Sequence, residues 1–425
     1  MNRVYLLVFF IFVLCFSSLP NLFVKAQSRT ISVPNDYPTI QDAIDNASEG
    51  DTIFVKRGTY YNQSLIVNKP VSLIGEDPKT TILQGPNIEY LPTKREPNNK
   101  PSFTLLNSKT STINFLPPIT IVIKVEANNV SITGFTITNA FTGITGNGNG
   151  TKISNNIIKV SNNGMSISGF YKTISHNNIS VSIKGIQFSG SFTSITGNNI
   201  APSMAGIDLS GSSNNVSGNS ILGSNGHGIE VNGDSNTISY NNITDDATGI
   251  TLRTGFGNMV FGNNITENWS KGIWIYQSSN NVVYKNFIAN NVKNYSGYGV
   301  SLTGLNHNAE NNTLYHNTFI NNTHHFRIEA PYYVNYWDNG VEGNYWDNYN
   351  STDVDNNGVG DTSYLIGDGN VDNFPLIFPY DFENDSIVKP PPELEPFPTT
   401  MAVVSITSIA IIVIGLLVYF KKYRK

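Results

Sequence analysis

A period of about 22 residues runs through the middle of this chain, and few folds can accommodate it. Units of the form Asn-x-Ile begin at Asn155, Asn177, Asn198, Asn219, Asn241, Asn263 and Asn286, at intervals of 21 to 23. A second unit, Gly-apolar-x-apolar, begins at Gly143, Gly164, Gly185, Gly206, Gly228, Gly249, Gly272 and Gly299 and keeps the same step until a final interval of 27. A third short run precedes each Asn unit, as in Thr173-Ile174-Ser175 and Ser194-Ile195-Thr196. Three alternating runs separated by Gly and Asn turns leave no room for a helix within a period. Helical repeats need longer units, and a propeller blade needs about 40 residues. The spacing therefore predicts an all-β chain: a single-stranded right-handed parallel β-helix with one rung per period. Alternation places Ile186, Phe188, Ile207, Leu209, Ile229 and Val231 inside, stacked rung on rung.

Composition supports this reading. The 59 Asn outnumber the 57 charged residues, and Gly reaches 36, a mixture poorly suited to helices. A hydrophobic fraction of 39% with 44 Phe and Tyr excludes a disordered acidic chain. The single Cys, Cys15, rules out a disulfide framework or a cysteine metal site. A net charge of −5 with no basic block in the body of the chain argues against nucleic acid as a partner.

The ends predict where the chain resides. Residues 1–26 read as a signal peptide, with Arg3, an apolar run from Val4 to Phe16, and Val24-Lys25-Ala26 resembling a small-residue cleavage site. Residues 400–420 read as a transmembrane helix, since the uncharged stretch Met401–Phe420 is long enough to cross a bilayer. The basic tail 421–425 then stays cytoplasmic. Removing both ends leaves 20 bases against 31 acids in the exported part. The Pro-rich segment 386–399 predicts a stiff stalk. Between these ends, 27–118 forms an N-terminal cap and the first rungs, with an insertion at 86–118. Residues 119–330 carry the repeats, and 331–385 form a C-terminal cap with an Asp-rich loop. Ile40, Ala43, Ile44 and Ala47, at helical spacing, predict a cap helix over the open end of the apolar column. The expected location is the cell membrane, single-pass, with an extracellular ectodomain.

Pro38-Thr-Ile-Gln-Asp-Ala-Ile44, Gly50-Asp-Thr-Ile53 and Val71-Ser-Leu-Ile-Gly75 resemble the pectate-lyase-like superfamily, and within it the NosD-type β-helix proteins linked to copper delivery. Gly343-Asn-Tyr-Trp-Asp347 and Val371-Asp-Asn-Phe-Pro-Leu376 resemble the ends of exported members. The resemblance covers about residues 30–380. It implies the fold strongly and the activity weakly, because the superfamily holds lyases, hydrolases, epimerases and non-enzymes.

Three places carry candidate chemistry. Aligned outward positions of the Gly-led strand give one column Ser166, Gln187, Asp208, Glu230, Thr251, Trp274, Ser301. The next column reads Ser168, Ser189, Ser210, Asn232, Arg253, Tyr276, Thr303. Asp208 and Glu230 then stand one rung apart, about 4.8 Å, the separation a retaining glycosidase needs. The superfamily resemblance implies that Arg253 could act as a lyase base, and Trp274 with Tyr276 offer a sugar platform. The plainer reading is a surface strand of mixed polar residues. Second, Asp353, Asp355, Asn357, Val359 (by its carbonyl) and Asp361 repeat the ligand spacing of an EF-hand loop, although Tyr364 replaces the closing Glu. A structural Ca²⁺ or a simple Asp/Asn turn would satisfy this spacing. Third, of fourteen Asn-x-Ser/Thr sequons, Asn178, Asn242 and Asn264 are candidate glycosylation sites, and the last two are close enough to crowd. Copper is not expected: no thiolate or thioether cluster can form, and the one local histidine group, His316 with His324-His325, is explained as well by Asn-rich turns.

The sequence thus favours a non-catalytic surface protein that binds carbohydrate or a surface protein, or forms part of the envelope. The alternative is a polysaccharide lyase or glycoside hydrolase using Asp208, Glu230 and Arg253. A weaker third is a NosD-like accessory role in copper-enzyme maturation.

Overall fold

The computed structural model describes residues 28–86, 91–92, 103–104, 120–202, 204–292, 297–304, 309–329, 334–367, 369–381 and 386–387. They wind into a parallel β-helix of the right-handed type with about 12 turns. Each turn contributes one strand to each of three parallel sheets. The first sheet has 12 strands, from Thr30–Val33 to Thr313–Tyr315. The second also has 12, from Gly58–Tyr60 to Tyr345–Trp346. The third has 11, from Leu65–Val67 to His324–Ile328, and holds the Gly-led strands. Because Tyr345–Trp346 pairs with Thr318–Ile320, the solenoid continues past the boundary expected at 330.

The alternation has the predicted outcome: Ile186, Phe188, Ile207, Leu209, Ile229 and Val231 are all at most 1% exposed. The column glycines are fixed by sterics. A Cβ on Gly206 would lie 2.5 Å from the Gly228 carbonyl and 2.6 Å from Ile221 Cγ2. The neighbouring column glycines meet the next rung in the same way, so the step recurs for as long as the strands stack.

Asparagine fills the turns by forming ladders. Between the first two sheets, Asn156, Asn177, Asn198, Asn219, Asn241, Asn263, Asn286, Asn317 and Asn344 stack in one buried column. Each after Asn156 accepts from the backbone N–H and the amide of the asparagine one rung earlier. The column expected to begin at Asn155 begins instead at Asn156. Asn155 is the left-handed turn residue (φ 53°), the place taken on later rungs by His176, Gly197, Gly218 and Tyr240. A second ladder, at the turn from the third sheet to the first, runs through Asn214, Asn236, Asn258, Asn281, Asn312 and Asn335. A third, shorter one links Ser224, Asp246, Asn268, Asn291 and Asn322.

One short strand ends two of these ladders. Asn370 accepts from Asn335 N–H at 2.9 Å and from the Trp337 indole at 3.2 Å. Asp372 accepts from Asn344 N–H at 2.8 Å and the Trp346 indole at 2.9 Å. At the other end, helix Ile40–Asn46 buries Ile40, Ala43 and Ile44 against the first strands. Thr39 caps the helix, its side chain accepting from Asp42 N–H.

The expected signal peptide and transmembrane segment, and most of the expected 86–118 insertion and stalk, lie outside the described residues. Among those described, no helix is long and apolar enough to cross a membrane.

Candidate functional site

The outward face of the third sheet brings the two expected columns into register. Gln187, Asp208, Glu230, Thr251, Trp274 and Ser301 pair in succession, as do Ser189, Ser210, Asn232, Arg253, Tyr276 and Thr303. A third column, which the sequence reading did not use, lies beside them: Lys184, Ala205, His227, Thr248, Lys271, Tyr298 and His324. All but His324 immediately precede a column glycine, so the same period could have revealed them.

Contacts across the columns sort the candidates. Asp208 and Glu230 occupy adjacent rungs, yet each is held by a different base: Asp208 by Lys184 Nζ, and Glu230 Oε1 by Arg253 Nε at 2.6 Å. Glu230 also lies 3.6 Å from His227 Nε2, while His227 Nδ1 is 2.7 Å from Thr251 Oγ1. Burial chiefly, with Arg253 and Lys271 nearby, pushes the His227 pKa down, so the ring is largely neutral near pH 7.

Trp274 is not a bare platform. Its indole N–H donates to Thr303 Oγ1 at 2.7 Å, which fixes the ring. The Lys271 ammonium lies 4.6 Å from its centroid, Arg253 5.9 Å away, and the His227 ring stacks at 6.3 Å. Arg253 also sits 5.5 Å from the Tyr276 centroid. Glu230, Arg253, Trp274, Tyr276, His227 and Lys271 thus form one cluster, and Asp208 belongs to its own pair. Turns of only three to five residues flank these rungs, including 245–247, 254–258 and 267–270. Short turns give the cluster a shallow setting.

The Asp-rich loop closes on itself. Asp353 accepts from the backbone N–H groups of Asn357 at 3.0 Å and Gly358 at 2.8 Å, and Asp361 accepts from Thr352 Oγ1 at 2.7 Å. Among the described residues, no group of three or more His, Cys, Asp or Glu is placed to hold a metal ion. The imidazoles meet carboxylates singly, His316 with Glu342 at 2.6 Å and His325 with Asp347 at 2.8 Å. That arrangement does not fit a copper donor set.

Asn178, Asn242 and Asn264 are exposed on the second sheet, and Asn264 Nδ2 donates to Asn242 Oδ1 at 2.7 Å. The sequon at Asn268 is unusable in the folded chain, since Asn268 is fully buried in the third ladder. No sequon falls within a strand of the third sheet.

Fold and surface define a parallel β-helix protein with a polar and aromatic cluster on one face. The chain belongs to the family described as periplasmic copper-binding protein (NosD), whose profile matches residues 44–250 and 193–351. No curated protein matches it significantly. Among solved structures, the Dettilon tailspike protein gp208 is similar over 71% of this chain and 69% of its own, at 14% identity and a TM-score of 0.50. The catalytic domain of a GH87 α-1,3-glucanase in complex with nigerose is similar over 75% and 69%, at 15% identity and a TM-score of 0.47. These likenesses concern the fold.

Proposed function

We propose that this chain is an exported, membrane-anchored β-helix protein that binds carbohydrate along the outward face of the third sheet without cleaving it. The observation that carries this reading is the cluster of Glu230, Arg253, Lys271, Trp274 and Tyr276. It gathers hydrogen-bonding, charged and aromatic groups on a face without sequons, while its carboxylate is engaged by a base. Short flanking turns favour binding a polymer along its length over enclosing a scissile bond. The anchor at 400–420 and glycans at Asn178 and at one of Asn242 or Asn264 belong to the same reading. So does a Ca²⁺-stiffened Asp-rich loop.

A glycan array probed with the ectodomain, with and without chelator, tests the proposal. Binding is expected, with Arg253→Ala weakening it about tenfold or more, the scale of losing a charge-assisted contact. Parallel assays for new reducing ends and unsaturated uronates address the second reading, catalysis, which the one-rung separation of Asp208 and Glu230 favours. Cleavage abolished by Asp208→Asn would replace the binding reading with an enzymatic one.

A further inference from the structure

Among the described residues, one cation on the third sheet's outward face has no carboxylate within ion-pair distance. Lys184 is paired with Asp208, Arg253 with Glu230 at 2.6 Å, and Arg327 with Glu329 at 2.5 Å. Among the described residues, Lys271 forms no ion pair of its own. Its ammonium donates to Ser270 Oγ at 3.3 Å and rests on the Trp274 ring at 4.6 Å. Locally, among the described residues, Arg253, Lys271 and Arg327 face Glu230 and Glu329. One positive charge is left over in a chain whose net charge is −5. His227 adds no lasting charge near neutrality, because burial favours its neutral form.

Half-burying an uncompensated ammonium opposes folding. Burial chiefly, with Arg327 nearby and Glu329 opposing in part, pushes the Lys271 pKa down. The side chain is nonetheless held in one place. Trp274 lies beneath it, and Thr303 fixes the indole. An ordered cation lacking an anion is the arrangement that an incoming acidic group completes, and its preorganisation lowers the cost of binding.

We infer, building on the carbohydrate-binding reading, that the ligand is an anionic polysaccharide and that Lys271 receives its carboxylate or sulfate group. Trp274 positions the ammonium from the protein side. Arg253, already held by Glu230, lies along the path of the same polymer.

The test uses the full-length chain in detergent, with polygalacturonate, dextran sulfate and neutral dextran as probes at low and high salt. The wild type is expected to bind one of the two anionic polymers at least about tenfold more tightly than dextran, with an affinity that falls as salt rises. Lys271→Gln should lose about tenfold for the anionic polymer with a melting temperature no lower than the parent's. Lys271→Arg, which keeps the charge, should stay within about threefold. Carboxylated and sulfated probes separate the two acidic groups. Equal affinity for dextran, or an unchanged Lys271→Gln variant, overturns this inference and leaves carbohydrate binding standing. Failure to bind any polysaccharide overturns both. If Lys271→Gln does not fold, the salt series decides: a salt-independent affinity for the anionic polymer overturns the inference.

Discussion

Asn219 shows what a ladder residue does. Its Oδ1 accepts from Asn198 N–H and Asn198 Nδ2, both at 3.0 Å, and its Nδ2 donates to Asn241 Oδ1 and to the Ile195 carbonyl, both at 2.9 Å. Asn219→Ala leaves buried donors and acceptors on two rungs without partners, at about 1–3 kcal/mol each. A loss of about 3–5 kcal/mol in urea unfolding is therefore expected. Asn215→Ala, at an exposed position four residues earlier, should stay within about 0.5 kcal/mol. Equal effects at the two sites would remove the ladder from the account of stability. The period exposed this column, but Asn155 and Asn156 are both asparagine, and spacing alone could not assign them. One must enter the left-handed region and the other must turn its amide inward, and only the folded turn distinguishes those tasks.

At the scale of the ladders, Asp246 interrupts a run of amides. It accepts from Ser224 N–H at 2.6 Å, yet its Oδ2 and the Asn268 Nδ2 are buried without partners among the described residues. Burial pushes its pKa from 3.8 up to about 7. The folded chain therefore holds a proton that the unfolded chain releases. Stability is fully present below pH 4, is lost as pH rises towards 7, and is flat above. Asp246→Asn restores a neutral amide to the column. It should match the parent near pH 4 and exceed it by about 4 kcal/mol at pH 8 in denaturant titrations. Asp372, also pushed up to about 7 by burial, leaves a residual slope in the same direction. An unchanged pH profile would show that Asp246 does not titrate in this range. The second ladder was also legible, since Asn-x-Val or Asn-x-Ile recurs at 214, 236, 258 and 281. The third was less so, because Ser and Asp open it and only three asparagines follow.

For the whole molecule, the governing fact is that each rung bonds only to its neighbours. Deleting residues 198–218 removes one turn and brings Asn219 to the place of Asn198 in the ladder. Such a chain is expected to fold with an unchanged circular dichroism signature per residue. It should keep polysaccharide binding, because Glu230, Arg253, Lys271 and Trp274 all lie beyond the excised turn. Deleting 198–208 shifts the register by half a turn and should abolish folding. If both deletions fold equally well, stacking in register is not what holds the solenoid together. The closure could not be derived from the period: Trp337 and Trp346 are fully buried, and their indoles reach Asn370 and Asp372 in the strand that ends both long ladders.

The sequence by itself determined the rung length, the inward residues and which outward residues are axial neighbours. Backbone hydrogen bonding between stacked strands is one-to-one, so a residue and its counterpart about 22 positions later must lie side by side. The period does not encode contacts across columns. Lys184 reaches diagonally to Asp208, Arg253 reaches back to Glu230, and Lys271 settles on Trp274. Those choices depend on side-chain length, rotamer and neighbouring charge. They alone turned an apparent carboxylate pair beside an aromatic platform into two separate ion pairs and, among the described residues, one cation without an ion pair of its own.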